Sequence, residues 1–285
     1  MSDDATTSDQ GPTSPDAADP VSPDPVSPRD HVSSTDPGPD GRLVTRHDED
    51  RVAVLTLDSP ANRNALSRRL LADLTSHLED LASDESPHAV LVRSSQRVFC
   101  SGADLKEAAH VDMTETARSI IDVQRRIAAL PVPVVVRLDG PVRAGGLGIV
   151  ASADLVVCLD DVSFALTEVR LGLAAAAVGI SLRHRLTPRA AADWFLTGRT
   201  VTASEAREAG LVTHVVAQAE MDSTLSAVLD DLRAGARQGL VAAKGILTAD
   251  LLADLDSDGD VMARISGDLF HSPLAQQRMA AALRR

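Results

Sequence analysis

At the centre of the sequence stands Asp139-Gly140-Pro141-Val142-Arg143-Ala144-Gly145-Gly146-Leu147-Gly148-Ile149-Val150-Ala151-Ser152-Ala153-Asp154. The apolar run Val134 to Leu138 before it is typical of a short strand, and the apolar residues after Gly148 are typical of a buried helix. Three glycines fall within positions 145 to 148, which predicts a turn into a helix whose first backbone N–H groups lie bare. Such groups would stabilise negative charge on a ligand. Taken alone, the glycines favour a turn that only lets a buried helix pack closely.

Two further motifs add chemistry to this turn. Val98-Phe99-Cys100-Ser101-Gly102-Ala103-Asp104-Leu105-Lys106 directly follows a predicted strand from Ala89 to Ser94. Phe164-Ala165-Leu166-Thr167-Glu168-Val169-Arg170-Leu171-Gly172 places a carboxylate between a short predicted strand and an apolar run. Glu168 is therefore a candidate general acid/base. The alternative is an exposed glutamate that pairs with Arg170.

The ordered pair of the first two motifs resembles the enoyl-CoA hydratase/isomerase, or crotonase, family, whose pattern F-x-[SA]-G-A-D-[LI]-K matches Phe99 to Lys106. In that family, one backbone N–H of this segment and one at the glycine-rich helix bind a thioester oxygen. The resemblance implies that Ala103 and Gly145 supply these two donors and that Glu168 is the catalytic acid/base. It also implies an α/β fold, a spiral of ββα units with a helical C-terminal region that forms trimers, often paired into hexamers.

The sequence departs from a typical two-glutamate hydratase at Gly148, where that pattern has its first catalytic glutamate. With one glutamate left, the chain is most similar in pattern to methylglutaconyl-CoA-type hydratases. We expect an enzyme that hydrates an α,β-unsaturated acyl-CoA thioester. The alternatives are a Δ3,Δ2-enoyl-CoA isomerase, which also uses one glutamate, and an acyl-CoA-binding protein without turnover. A dienoyl-CoA isomerase is not expected, because Ala176 stands where that branch has an aspartate.

The resemblance also implies contacts with the coenzyme A part of an acyl-CoA substrate. The implied contacts are Arg63, Ala103, Asp104, Leu105, Lys106 and Gly145. For Arg63 and Lys106, a solvated surface side chain is the alternative. The sequence has no His/Cys/carboxylate cluster with metal-ligand spacing, no serine-nucleophile elbow and no phosphate loop. We therefore expect no metal, and no cofactor besides the coenzyme A of the substrate itself.

Composition argues against several other classes of function. The net charge is −13, of which the first 40 residues carry −8, and aromatic residues make up 2% of the chain. A mildly acidic body with few stacking side chains argues against nucleic acid as a partner. No apolar run approaches membrane-spanning length, and the N-terminus lacks the pattern of a signal peptide. Two cysteines are too few for a disulfide framework, so we expect a cytoplasmic protein with no membrane partner.

Three segments are predicted along the chain. Residues 1–41, rich in Asp, Pro, Ser and Thr, form a disordered leader. Residues 42–200 form the spiral core, and residues 201–285 form the helical C-terminal region. Within the core, leucine spacing predicts a helix from about Ser67, its N-cap, to Ala82, and a second helix is predicted from His110 to Leu130.

Overall fold

Strands and helices alternate in the computed structural model, which describes residues 41–107 and 111–282. The strands of this part are β1 (Val44–Glu49), β2 (Val52–Leu57), β3 (Ala89–Ser94), β4 (Val134–Leu138), β5 (Val142–Arg143), β6 (Leu155–Leu159), β7 (Ser163–Ala165), β8 (Thr200–Thr202) and β9 (His214–Val216). The helices are α1 (Arg68–Ser83), α2 (Met113–Ala129), α3 (Gly146–Ser152), α4 (Ala176–Arg185), α5 (Pro188–Thr197), α6 (Ala203–Ala209), α7 (Met221–Ala234), α8 (Arg237–Phe270) and α9 (Pro273–Ala282). The predicted leader lies outside the described residues apart from Gly41, and so does the predicted helix start at His110.

A six-stranded sheet with the order β1-β2-β3-β4-β6-β9 forms the centre of the fold. β1 is antiparallel to β2, and the other neighbours are parallel. Four strands of this sheet are continuous runs of mostly buried Val, Leu and Ala side chains: β2, β3, β4 and β6. Such runs are expected for parallel strands that are covered on both faces. β3 and β4 lie side by side, with Val92 opposite Val136. The two motifs that follow these strands therefore start at the same edge of the sheet.

A second sheet of three short strands has the order β5-β7-β8. Along the chain, β4 and then β6 contribute to the large sheet, and β5 and β7 directly after them contribute to the small one. An isolated bridge between Cys100 and Val142 brings the Val98 to Lys106 motif, which is the first motif in chain order, to the same small sheet. Because β5 pairs with β7, with Arg143 opposite Ala165, the glycine-rich turn and the Glu168 segment leave the small sheet side by side.

Helix signals in the sequence explain where the first long helices begin and end. The Ser67 hydroxyl accepts a hydrogen bond from the Leu70 N–H at 3.2 Å, so the predicted N-cap of α1 is confirmed. α2 begins after Asp112, whose Oδ1 accepts from the Thr114 N–H at 2.8 Å. α2 ends before the Pro131-Val132-Pro133 segment, because its two prolines lack the backbone N–H groups that would continue the helix.

The long helix α8 packs along α2, with polar contacts near its start and close packing further along. Near its start, the buried Lys244 ammonium donates to the Ile127 carbonyl at 2.9 Å and pairs with Asp154 at 2.9 Å. Further along, Gly259, Ala263 and Gly267 recur at every fourth position. A Cβ on Gly259 would already lie 3.2 Å from an Ile121 methyl group, so these small residues let α8 approach α2 closely.

The C-terminal part contains more strand than the sequence pattern predicted. Helices dominate this region as expected, but the structure also has the short strands β8 and β9 there. β1 was also not predicted as a separate strand. The division at residue 200 and the trimer-forming role of the C-terminal region stay predictions. Within the described residues, no helix is long and apolar enough to cross a membrane.

Candidate active site

The glycine-rich turn reaches α3 through one unusual backbone conformation, at Ala144, and one close contact, at Gly145. Ala144 has a φ of +46°, a left-handed conformation that residues with a Cβ adopt rarely. Gly145 follows as the N-cap of α3, and a Cβ added to it would lie 2.8 Å from Cδ1 of Leu66. Glycine is therefore the residue that fits here without displacing Leu66. Among the described residues, the Gly145 N–H has no protein acceptor.

The first motif is held in place by a buried side chain that the sequence analysis did not single out. Asn64 is fully buried, with a φ of +53°. Its Oδ1 accepts from the Ser59 N–H at 2.7 Å, and its Nδ2 donates to Ser94 Oγ at 2.8 Å and to the Phe99 carbonyl at 3.2 Å. The sequence signal was an asparagine in a turn, a residue type that tolerates left-handed backbone.

Ala103 lies in the segment that Asn64 fixes. The Leu66 N–H donates to the Gly102 carbonyl at 2.8 Å, and Leu66 and Ala103 form an isolated parallel bridge. This bridge does not use the Ala103 N–H, which has no acceptor among the described residues. The Leu66 side chain also contacts the Gly145 position, so one residue touches both candidate oxyanion donors.

Glu168 lies in a short 3-10 helix, Thr167–Leu171, that follows β7. Its Oε2 is buried and has no hydrogen-bond partner within the described part of the chain. Burial raises the pKa of the carboxyl from 4.5 to about 7, and a hydrogen bond from its own backbone N–H opposes this only in part. The alternative pairing with Arg170 is not observed among the described residues: the Glu168 Oε2 has no partner, and the Arg170 Nε donates to the Thr197 carbonyl at 3.5 Å.

One cavity, with a volume of about 100 Å³, brings these groups together. Ala103, Gly145 and Glu168 all line it. Its other described lining residues are mostly apolar: Ser101, Leu105, Met113, Ala117, Ile120, Ala144, Thr167, Leu171, Leu173, Ala174, Ala175, Ala177, Val178, Ser266 and Phe270. Glu168 is the one ionisable side chain among them.

The remaining predicted coenzyme A contacts fall into two groups. Leu105 lines the cavity, whereas Arg63, Asp104 and Lys106 do not. The Asp104 carboxylate accepts from Asn62 Nδ2 at 2.9 Å and from the Lys106 N–H at 2.9 Å, so it fixes its own turn. Arg63 and Lys106 are exposed beside the first motif. Their contacts with coenzyme A stay predictions.

Position 148, where a second carboxylate was missing, is closed by a neighbouring side chain. A Cβ on Gly148 would lie 2.8 Å from Cδ of Gln124 and 2.8 Å from Cγ1 of Val178. Gln124 is fully buried, and its Nε2 donates to the Ile120 carbonyl at 3.0 Å and the Ala177 carbonyl at 2.7 Å. The Gln124 side chain therefore takes up the space that a side chain on Gly148 would need.

The far wall of the cavity comes from α8, which the sequence analysis did not assign to the site. Ser266 and Phe270 line the cavity beside Met113 of α2. The close approach of the two helices brings them there. The sequence signal for this close approach is the repeat of small residues at Gly259, Ala263 and Gly267. The repeat predicts that α8 packs closely on another helix, but it does not predict which side chains then reach the cavity.

These groups define what the cavity can do chemically. Two backbone N–H groups without protein acceptors can bind one oxyanion with little reorganisation. A carboxyl with a pKa of about 7 can both take and give a proton at neutral pH. Within the described residues, no group of three or more His, Cys, Asp or Glu side chains could hold a metal ion.

Comparison with known proteins identifies the family and the fold of the chain. A family model for enoyl-CoA hydratase/isomerase matches residues 47–282. The mitochondrial methylglutaconyl-CoA hydratase of Mus musculus is 32% identical over 209 residues, 70% of this chain and 67% of that protein. The 2,3-dehydroadipyl-CoA hydratase of Escherichia coli is 33% identical over 175 residues, 61% of this chain and 68% of that protein. The crystal structure of an enoyl-CoA hydratase from Mycobacterium avium has a TM-score of 0.79 at 37% identity, covering 85% of this chain and 96% of that one.

The chain therefore belongs to the enoyl-CoA hydratase/isomerase family and has the crotonase fold. This confirms the resemblance drawn from the motifs and the predicted α/β class. It also establishes the chain as an acyl-CoA-processing enzyme of this family.

Proposed function

We propose that this enzyme hydrates an α,β-unsaturated acyl-CoA. The observation that carries the proposal is the position of the buried Glu168 carboxyl in the same cavity as the backbone of Ala103 and Gly145. The two N–H groups bind the thioester oxygen and stabilise the negative charge that develops there during addition. In comparable sites, one such donor contributes about a hundredfold or more in rate.

Glu168 carries both proton transfers in this mechanism. Its carboxylate takes a proton from water while the water oxygen adds to the β-carbon and electrons move to the thioester oxygen. The carboxyl then returns the proton to the α-carbon, and the enolate collapses to the hydroxyacyl-CoA. A pKa of about 7 makes both protonation states accessible near neutral pH, which a single group with two roles requires.

A Δ3,Δ2-enoyl-CoA isomerase is the second candidate, because the described lining of the site holds one carboxylate and Gln124 fills the space beside Gly148. Isomerisation moves one proton between two carbons and needs no group to hold water. The two candidates differ in their product: hydration adds the mass of one water to a 2-enoyl-CoA, whereas isomerisation of a 3-enoyl-CoA leaves its mass unchanged.

The test offers 2-enoyl- and 3-enoyl-CoA thioesters of several chain lengths to the purified protein and identifies the products by mass spectrometry. Glu168→Gln should lose at least about a hundredfold in kcat while still binding acyl-CoA. Glu208→Gln removes an exposed glutamate of α6 and serves as the control with unchanged turnover. Parental turnover by Glu168→Gln would refute the assigned role, and binding without turnover by the parent enzyme would favour a non-catalytic acyl-CoA-binding protein.

The finer points of the proposal concern the bound substrate and the assembly. Arg63, Asp104, Leu105 and Lys106, together with Ala103 and Gly145, are proposed to contact the coenzyme A moiety. We also propose a homotrimer or a pair of trimers, formed by the C-terminal helices, and a cytoplasmic location. Sedimentation of the purified enzyme tests the assembly, and Arg63→Ala and Lys106→Ala test the phosphate contacts through the KM for acyl-CoA.

A further inference from the structure

The described lining of the cavity is almost free of charge. Of its eighteen described lining residues, fourteen are Ala, Gly, Val, Leu, Ile, Met or Phe, and the polar side chains besides Glu168 are the hydroxyls of Ser101, Thr167 and Ser266. The Ser101 hydroxyl already donates to the Asn62 carbonyl at 2.9 Å. The other two can solvate a small polar group, but a neutral hydroxyl does not offset a full negative charge.

Several cationic side chains stand next in sequence to lining residues but do not themselves line the cavity; Lys106, which follows Leu105, is exposed. Arg143, next to Ala144, donates through Nη1 to the Ser163 carbonyl at 2.6 Å and through Nη2 to the Ser163 hydroxyl at 2.9 Å. Arg170 faces the Thr197 carbonyl. Among the described residues, neither these two nor any other Lys, Arg or His lines the cavity.

We infer that the cavity selects acyl groups without a second carboxylate, so that the substrate is an enoyl-CoA with an uncharged, apolar acyl chain. The inference rests on the proposed function, namely that an acyl-CoA thioester binds with its acyl chain in this cavity. A carboxylate on the acyl chain would lose water without gaining a cationic partner, and it would face the Glu168 carboxyl.

This inference separates the enzyme from relatives of similar sequence. The acyl groups named in methylglutaconyl-CoA and 2,3-dehydroadipyl-CoA each carry a second carboxylate, and the two hydratases named for them are 32% and 33% identical to this chain. At this identity, about two thirds of the aligned positions differ between this chain and each of the two hydratases. The charge of the acyl pocket is set by other positions, such as Met113, Ser266 and Phe270, which lie outside those motifs.

A matched pair of ligands tests the inference without any substitution. Hexanoyl-CoA and adipyl-CoA have six acyl carbons each and differ in a terminal methyl or carboxylate group. Calorimetry with the full-length protein should give a dissociation constant at least about tenfold lower for hexanoyl-CoA, because an unpaired buried charge is penalised. The unsaturated pair, 2-hexenoyl-CoA and 2,3-dehydroadipyl-CoA, should differ at least as much in kcat/KM. Equal or tighter binding of adipyl-CoA would overturn the inference.

The binding measurement keeps this inference distinct from the proposed reaction. If no enoyl-CoA is converted but hexanoyl-CoA still binds more tightly, the proposed hydration fails and the charge selection stands. If both unsaturated esters are hydrated equally well, the hydration stands and the charge selection fails. Glu168→Gln separates selection by the apolar walls from repulsion by the Glu168 carboxylate. If this variant still binds hexanoyl-CoA more tightly than adipyl-CoA, the walls cause the preference. If the preference disappears, Glu168 alone causes it, and the role given to the walls is overturned.

Discussion

Replacing Gly148 by alanine tests whether packing keeps a side chain out of the position where two-glutamate hydratases carry an acid. The added Cβ would lie 2.8 Å from Gln124 Cδ and 2.8 Å from Val178 Cγ1. Val178 is β-branched and stiff, and Gln124 is held by hydrogen bonds to the Ile120 and Ala177 carbonyls. Neither side chain can therefore move away from the added Cβ without a loss of packing or of hydrogen bonds.

The expected magnitude combines two opposing effects. Overpacking a core costs about 1–3 kcal/mol, and alanine in place of glycine within a helix gains about 0.5–1 kcal/mol. We expect Gly148→Ala to lose about 0.5–2 kcal/mol of unfolding free energy, which lowers Tm by a few degrees in a domain of this size. Gly245→Ala is the matched control, because no atom lies within 4 Å of a Cβ added there in α8. It should gain about 0.5–1 kcal/mol.

Urea unfolding, followed by the fluorescence of the single, buried Trp194, measures both variants. Gln124→Ala removes the clashing side chain, so the double variant with Gly148→Ala should be more stable than the sum of the single losses by about 1–2 kcal/mol. An equal gain in Gly148→Ala and Gly245→Ala would refute the reasoning, and so would strict additivity in the double variant. Either result would also remove the steric explanation for the single-carboxylate site.

Three further predictions concern the acid, the donors and the loop that holds them. Because the pKa of Glu168 is raised from 4.5 to about 7 in the folded state, its contribution to stability is present below pH 4.5 and is lost as the pH rises to 7. Relative to the parent, Glu168→Gln should therefore gain about 3 kcal/mol of unfolding free energy between pH 4 and pH 8; a pH-independent difference in urea midpoints would contradict this. Gly145→Ala should push against Leu66, 2.8 Å from the added Cβ, and lower kcat about a hundredfold with a native circular dichroism spectrum; unchanged kcat would argue against Gly145 as a donor. Asn64→Ala should cost about 2–4 kcal/mol, because it leaves buried partners unsatisfied and places alanine at positive φ; a loss below about 1 kcal/mol by urea unfolding would contradict its role as a clamp.

Elements with a local pattern were predictable from the sequence. β3 coincides with its prediction because a buried parallel strand is a continuous apolar run. α1 begins where predicted, because Ser67 caps it and its leucines repeat with helical period. The three candidate site residues were assigned differently, through the family resemblance of motifs of nine or more residues whose order along the chain is itself informative.

Features that depend on distant contacts or on very short segments were not predictable. β1 is an edge strand in which only Val44 is buried, so its charged sequence shows no alternation. β8 has three residues, too few to show a period. Gln124 closes the space at Gly148, and Ser266 completes a wall of the cavity, through contacts between segments far apart in the chain. No local pattern encodes either contact.

The uncharged wall of the cavity links the acidity of Glu168 to the choice of substrate. One cause, the loss of water without a compensating cation, both raises the Glu168 pKa and disfavours a carboxylate on the acyl chain. A cation added to the wall by Ser266→Lys should therefore lower the Glu168 pKa and narrow the preference for hexanoyl-CoA over adipyl-CoA together, whereas Ser266→Met, of similar length and uncharged, should do neither. The pH dependence of kcat/KM and the ratio of the two dissociation constants measure these effects in one variant. A shifted pH profile with an unchanged ratio would mean that the acyl chain does not pass this wall.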